Sequence, residues 1–187
     1  QETAEVAVHA AMTGHLVLST LHTNDAPTTI PRLTDMGVPP FLVSYTTNIV
    51  MAQRLVRKVC QYCKKEYKLD HVSIDELLKA FDAERITSIL KENNLLKDGE
   101  KNLEEMTFYK GEGCPRCNNS GYKGRVGIYE VMDVNQEIIH KINEHADANA
   151  LKDTARKNGM ITMSEDGLIK AKMGVTTIAE ILRVTKE

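Results

Sequence analysis

Four cysteines constrain this chain more than any other feature of its sequence. They are Cys60, Cys63, Cys114 and Cys117, two C-x2-C pairs separated by 50 residues, with no cysteine left over. Two residues between thiolates let one tight turn aim both sulfurs at one metal ion. Two such turns complete a tetrahedral all-thiolate site of the kind that suits zinc. Gly113-Cys114-Pro115-Arg116-Cys117 has Gly and Pro where a knuckle needs them, and Lys64, Lys65 and Arg116 lie nearby to offset the negative charge. The gap exceeds the usual ribbon spacing, and a helix within it fills the excess. Two disulfides or four free buried thiols are the other readings. The chain opens with no signal-peptide pattern, which argues against disulfides. A redox C-x2-C usually comes singly beside a βαβ pattern, not as a pair that uses every cysteine. A closed four-thiolate site leaves no open position, so the expected Zn2+ is structural rather than catalytic.

Charge narrows the function classes. The 187 residues carry 24 basic and 26 acidic side chains, a net charge of −2. That balance argues against a nucleic-acid binder, which needs a basic excess to displace counterions. No run of about 18 apolar residues exists, so no membrane insertion is expected. Residues 1–59 hold 4 basic and 4 acidic groups, residues 60–125 hold 12 and 12, and residues 126–187 hold 8 and 10. The sparsely charged first part reads as domain interior, the second as the cysteine-bearing part, and the third as helical. The opening Gln1-Glu2-Thr3-Ala4 runs straight into a helical pattern, which reads as a piece cut from a longer protein.

Periodicity gives an α/β pattern. A helix is expected over Thr3–Met12, stopped by Gly14. His15–Leu21 is a short apolar run that reads as a strand buried on both faces of a parallel sheet. His22-Thr23-Asn24-Asp25 follows as a loop, with Asp25 as N-cap and Pro27 opening a helix to Met36. Residues 41–53 read as another helix and 54–59 as a strand. Ser73 with Glu76 marks a capping box for a helix over 73–93. A strand follows over 126–132, then helices at 136–143, 148–158, 163–173 and 177–183. Met160, Met163 and Met173 are expected in helix packing, and the run Asp98–Glu105 as solvated. In α/β folds, loops at the C-terminal ends of parallel strands take ligands, so His22 reads either as a contact to a phosphate or an attacking water or as a surface-loop histidine with no role, while His15 sits at the other end of the run.

The stretch from Thr13 to Ala26, with His15 and His22, resembles the histidine box of the secretion ATPases, the hexameric motors of type II secretion and type IV pilus systems. Glu2-Thr3-Ala4 is similar to the tail of the preceding Walker B region. Met36–Phe41, Gln53–Cys60, Gly121–Glu130, Glu165-Asp166-Gly167 and Ile181–Thr185 also match the pattern, so the resemblance covers essentially the whole chain. The paired C-x2-C points to the pilus-extension and type II secretion branches. The resemblance implies that 1–59 is the C-terminal half of a RecA-like ATPase domain, 60–125 the zinc subdomain and 126–187 a small α-helical C-terminal subdomain. It implies that His22 contacts the γ-phosphate region, with His15 supporting that catalytic site, and that Arg54 or Arg57 couples nucleotide state to the zinc subdomain. It further implies ATP and Mg2+ in the full-length parent, self-association as a hexamer, and an inner-membrane platform protein as partner. The expected location is cytoplasmic, peripheral to the inner membrane, and the expected task is pilin or pseudopilin polymerisation.

Other readings are a zinc-organised protein-interaction module without catalytic role, a zinc-ribbon nucleic-acid binder, or a small redox protein. The sequence contains no G-x4-G-K-[ST], and the Asp box and catalytic Walker B glutamate of the family have no counterpart in it. Phosphoryl transfer needs those parts together. The purified chain is therefore expected neither to hydrolyse ATP nor to bind it tightly. A phosphate-release assay and a nucleotide titration check this, and robust turnover contradicts it.

Overall fold

The structure, a computed structural model, describes residues 2–100 and 102–185; Gln1, Lys101, Lys186 and Glu187 lie outside the described residues. In chain order the elements are α1 (Glu2–Met12), α2 (Thr29–Asp35), α3 (Pro40–Thr46), β1 (Ile49–Val59), β2 (Lys64–Lys68), α4 (His71–Ala80), α5 (Ala83–Glu92), β3 (Thr107–Gly111), a 3-10 turn (Pro115–Cys117), β4 (Tyr122–Asp133), α6 (Gln136–Asn143), α7 (Ala148–Lys157), α8 (Met163–Lys172) and α9 (Ile178–Thr185). The fold is α/β. β1 pairs with β4 and β2 with β3. The second pair is antiparallel, with Lys64 opposite Gly111 and Lys68 opposite Thr107. Val134 N–H donates to Asn48 O and Cys60 N–H to Gly121 O, each at 2.9 Å, so β1 and β4 also run antiparallel.

The chain forms two compact units. One combines the residues up to Gln53 with Glu130–Thr162, and the other combines Arg54–Tyr129 with the residues from Met163 onward. In the first, α3 packs against α1, α2 and α6, and α6 against α7. Ile30, Val43, Ile138, Ile142 and Leu151 are buried there, and Ser44 Oγ bonds Asn143 Oδ1 at 3.2 Å between α3 and α6. In the second, α8 packs against α5, α9 and β3 around a core that includes Leu77, Ile86, Leu90, Phe108, Leu168 and Ile181.

Several sequence expectations change. His15–Leu21 is not a strand: the run has no ladder partner and no regular structure, and Leu16 and Leu18 are 87% and 88% exposed. A strand exists only where a neighbour completes its ladder, and the four strands among the described residues pair only with one another. The helix expected over 41–53 ends at Thr46, because from Ile49 the burial alternates with period two, Val50 and Ala52 in and Ile49 and Met51 out. The single helix over 73–93 is two. Asp70, not Ser73, caps the first, accepting from Ser73 N–H. Phe81 turns extended and Asp82 caps the second through Glu84 N–H. Asp25 caps the turn before α2 rather than the helix itself, its Oδ1 accepting Thr28 N–H at 2.9 Å. Met160 and Met163 are buried but Met173 is exposed.

The run Asp98–Glu105 is not wholly solvated, and Lys101 within it lies outside the described residues. Glu100 is buried and accepts from Lys172 Nζ at 2.5 Å, Thr107 N–H at 2.6 Å and Lys97 N–H at 2.9 Å. Glu180, 1% exposed, receives Arg57 Nε at 2.6 Å, the Arg57 backbone N–H at 2.8 Å and the Arg183 guanidinium. Burial pushes both carboxyls up, but these donors outweigh it and hold each at about 2 against an ordinary 4.5. A folded-state value below the unfolded one stabilises above the unfolded value and is lost as the pH falls through the folded one. The second unit should therefore keep this stabilisation above about pH 4.5 and lose it progressively towards pH 2. Glu180→Gln should cost about 1–3 kcal/mol at neutral pH, by the loss of charge-assisted bonds discounted for the half-exposed Arg57. It should also flatten the acid limb. Urea midpoints across that pH range check both.

Candidate functional site

The two knuckles stand at the corners where the chain changes sheets. β1 ends at Val59 and β2 begins at Lys64, with Cys60–Cys63 between them; β3 ends at Gly111 and β4 begins at Tyr122, with Cys114–Cys117 between them. The pairing of β1 with β4 and of β2 with β3 brings the corners together. All four sulfurs lie within 4.8 Å of one another. Cys60 to Cys114 is 3.9 Å, Cys63 to Cys117 is 3.8 Å and Cys114 to Cys117 is 3.7 Å. A tetrahedron with metal–sulfur bonds of ~2.3 Å has edges of ~3.8 Å. Three of the sulfur–sulfur distances therefore match the edges of such a tetrahedron, and none of the four cysteines is disulfide-bonded.

The backbone around the sulfurs is shaped for this approach. A Cβ on Gly121 would sit 2.5 Å from Gly111 O, and one on Gly111 would sit 2.1 Å from Gly121 O. Only glycine at both positions lets these backbones meet. Asn118 and Asn119 take left-handed conformations, at φ 51° and 57°, and turn the chain back after Cys117. Cys114 N–H points at Cys117 Sγ at 3.2 Å, and the turn closes through Ser120 Oγ on Cys117 O at 2.6 Å. Cys60 and Cys117 are buried and the other two half-buried.

Without a cation these groups divide their charge. Burial and its thiol neighbours push Cys63 up to about 12, against one backbone donor at Gly113. Cys117 falls to about 6 despite burial, because the Cys114 and Gly121 N–H groups and the neighbouring thiols favour its thiolate. Four adjacent thiolates repel, so the full set ionises only around a bound cation. The donor set fits a metal ion. The expected basic offset is indirect: Arg116 stacks on Tyr62 at 4.0 Å, Lys64 on Tyr109 at 4.2 Å, and Lys65 pairs with Glu112 at 2.7 Å. Spacing alone finds the cysteines and Gly113; Gly111 and Gly121 emerge only from the close approach, although the Asn118-Asn119-Ser120-Gly121 run is a turn signal.

His15 and His22 belong to the first unit, and Arg54, Arg57 and the cysteines to the second. His15 is exposed, with Nδ1 3.0 Å from Thr13 Oγ1. His22 is exposed at the head of a loop whose following residues are pinned. Thr23 and Thr29 hydroxyls meet at 3.1 Å, and Ala26 N–H donates to Glu130 Oε1 at 2.9 Å. Arg54 donates to the Val184 carbonyl. Arg57 grips Glu180 and lies 4.2 Å over the Tyr122 ring.

Residues 1–183 match the family described as type II/IV secretion system protein. The chain is 44% identical over its whole length to a type IV pilus assembly ATPase of Thermus thermophilus, of which it covers 19%. It is 40% identical over its whole length to the type II secretion system ATPase E of Vibrio cholerae, covering 33% of it. It is also 40% identical to a type IV pilus assembly ATPase of Pseudomonas aeruginosa, covering 29%. The chain thus spans between a fifth and a third of these relatives. Among solved structures, the pilus retraction motor PilT with bound ADP shares the fold, with a TM-score of 0.56 at 23% identity, over the whole of this chain and 37% of that one. The chain belongs to the type II/IV secretion system protein family.

Proposed function

We propose that this chain is the C-terminal part of a hexameric motor ATPase that powers type IV pilus extension. The observation that carries this reading is the 44% identity, across the whole chain, to a type IV pilus assembly ATPase. Work in a type II secretion system is the second reading, favoured by the 40% identity to a secretion ATPase. In either case the parts that cradle phosphate and Mg2+ come from elsewhere in the motor. Residues 1–59 form the back half of the RecA-like core, 60–125 the zinc subdomain and 126–187 the helical C-terminal subdomain. The unpaired run His15–Leu21 then enters a larger parallel sheet, which accounts for its exposed leucines.

In this motor His22 faces the γ-phosphate region and His15 supports it; the exposed imidazole of His22 is free to meet a ligand in a way a buried one is not. Arg54 and Arg57, bonded to α9 through Val184 and Glu180, couple nucleotide state to the zinc subdomain. Cys60, Cys63, Cys114 and Cys117 hold a structural Zn2+, whose chemistry is to neutralise the thiolates and lock the two knuckles. The motor works at the cytoplasmic face of the inner membrane against a platform protein. No helix among the described residues is long and apolar enough to cross a membrane.

Metal analysis of the purified, unchelated chain should give about one zinc and no reactive thiols, by the logic of a closed structural site. Cys63→Ser should release the metal and melt the second unit at lower temperature; metal and melting point both retained would contradict the four-ligand site. In cells, the full-length protein should restore pilus extension to a strain lacking its own assembly ATPase, and His22→Ala should abolish that rescue. Rescue of secretion only would select the second reading. Loss of assembly in knuckle variants with ATPase turnover intact would place an interaction role in 60–125.

A further inference from the structure

We propose that Glu130 positions the histidine loop. Glu130 lies on β4 with 2% of its surface exposed, and its Oε1 accepts the Ala26 N–H at 2.9 Å across 104 residues of sequence. Ala26 is itself completely buried. A buried N–H without an acceptor is costly, so this bond fixes the backbone path at Ala26. Its neighbours are held locally: Asp25 Oδ1 takes Thr28 N–H at 2.9 Å, and the Thr23 and Thr29 hydroxyls lie 3.1 Å apart. These contacts shape the turn but tie it only to itself and to α2. The Glu130 bond is made by a residue remote in sequence, and it anchors the turn to a strand.

His22 opens this loop and is exposed. Its placement therefore depends on the backbone that follows it. Glu130 touches no ligand; it acts through Ala26 and is a positioning residue. Its role in turnover rests on the reading of His22 as nucleotide-facing.

Amide hydrogen exchange on the purified chain tests the assignment directly. In Glu130→Ala, the Ala26 amide should exchange about tenfold faster or more, as expected for a buried donor that loses its acceptor. The α6 amides of Ile138 and Ile142 should keep their protection. Glu130→Gln retains an acceptor oxygen and should change Ala26 exchange by less than about threefold. Wild-type exchange at Ala26 in Glu130→Ala overturns the assignment. So does acceleration shared equally by Ala26 and α6 in both variants, which marks a merely structural glutamate. Turnover of the full-length motor separates this claim from the one beneath it: Glu130→Ala should lower kcat with the KM for ATP unchanged. If His22→Ala leaves kcat at the wild-type value while Glu130→Ala still frees Ala26, the nucleotide reading fails and the positioning stands.

Discussion

Four sulfurs brought within 4.8 Å of one another set the terms for the second unit. The two knuckles are 50 residues apart in sequence, so meeting closes a long loop, at an entropic cost that grows only slowly with its length. What the meeting demands is local. Gly111 and Gly121 bring their backbones to within reach of each other because neither carries a Cβ. Asn118 and Asn119 accept left-handed backbone that a β-branched residue would resist. Once the corners meet, their flanks have little choice. The strands leaving them outward, β1 and β4, pair, and the strands leaving them inward, β2 and β3, pair. Leu77, Ile86, Leu90 and Met106 from the segment between β2 and β3 then join Phe108 of β3 and Leu168 and Ile181 of α8 and α9 in one core. Cation and fold are thermodynamically linked in such an arrangement, because the unfolded chain offers no preformed site.

Buried carboxylates do comparable work where helices α8 and α9 join this unit. Glu100 meets Lys172 of α8, Glu165 of α8 meets Arg85 of α5, and Glu180 of α9 meets Arg57 of β1. Each pair joins segments more than 70 residues apart, as the separations of 72, 80 and 123 show. Isolated, such charges would be expensive to bury; paired, they add little net stability but penalise any packing that separates them. The C-terminal helices carry a generic amphipathic stripe, as in α9 with Ile181 and Leu182 inward. Apolar stripes slide with modest loss, whereas a carboxylate matched to one guanidinium does not.

The legible parts of this chain are those whose cause is short-range. The cysteine site was readable because its geometry is written in two-residue spacings, and the C-terminal helices because 3.6-residue periodicity and caps such as Asn135 and Asp147 are local. β2 and β3 were not, since Lys64–Lys68 is charged at four of five positions and its strand state comes from its partner, not its composition. His15–Leu21 fails the opposite way: its composition is that of a strand, but strand state needs a neighbour, and no described residue supplies one. The cap at Asp70 is hidden in the sequence because Ser73 and Glu76 mimic a capping box three residues downstream. The buried state of Glu100, in a run that looks solvated, follows only from Lys172 being brought to it.

A histidine that meets a ligand faces opposing demands. It must be exposed to reach the ligand, and exposed loops gain little from packing, so their conformations multiply. If His22 has the nucleotide-facing role proposed for it, the loop that follows meets both demands by burying its other end. Ala26 and Pro27 are inside, and the one backbone donor that burial would strand is met by Glu130. The imidazole stays in solvent while the backbone four residues on is held by Glu130, which cannot move without stranding a buried amide. Using a glutamate for this has a physical reason. A side chain reaches out from the strand and leaves the backbone of β4 to pair with β1. The bond to Glu130 thus ties a loop that otherwise bonds only locally to a strand remote in sequence.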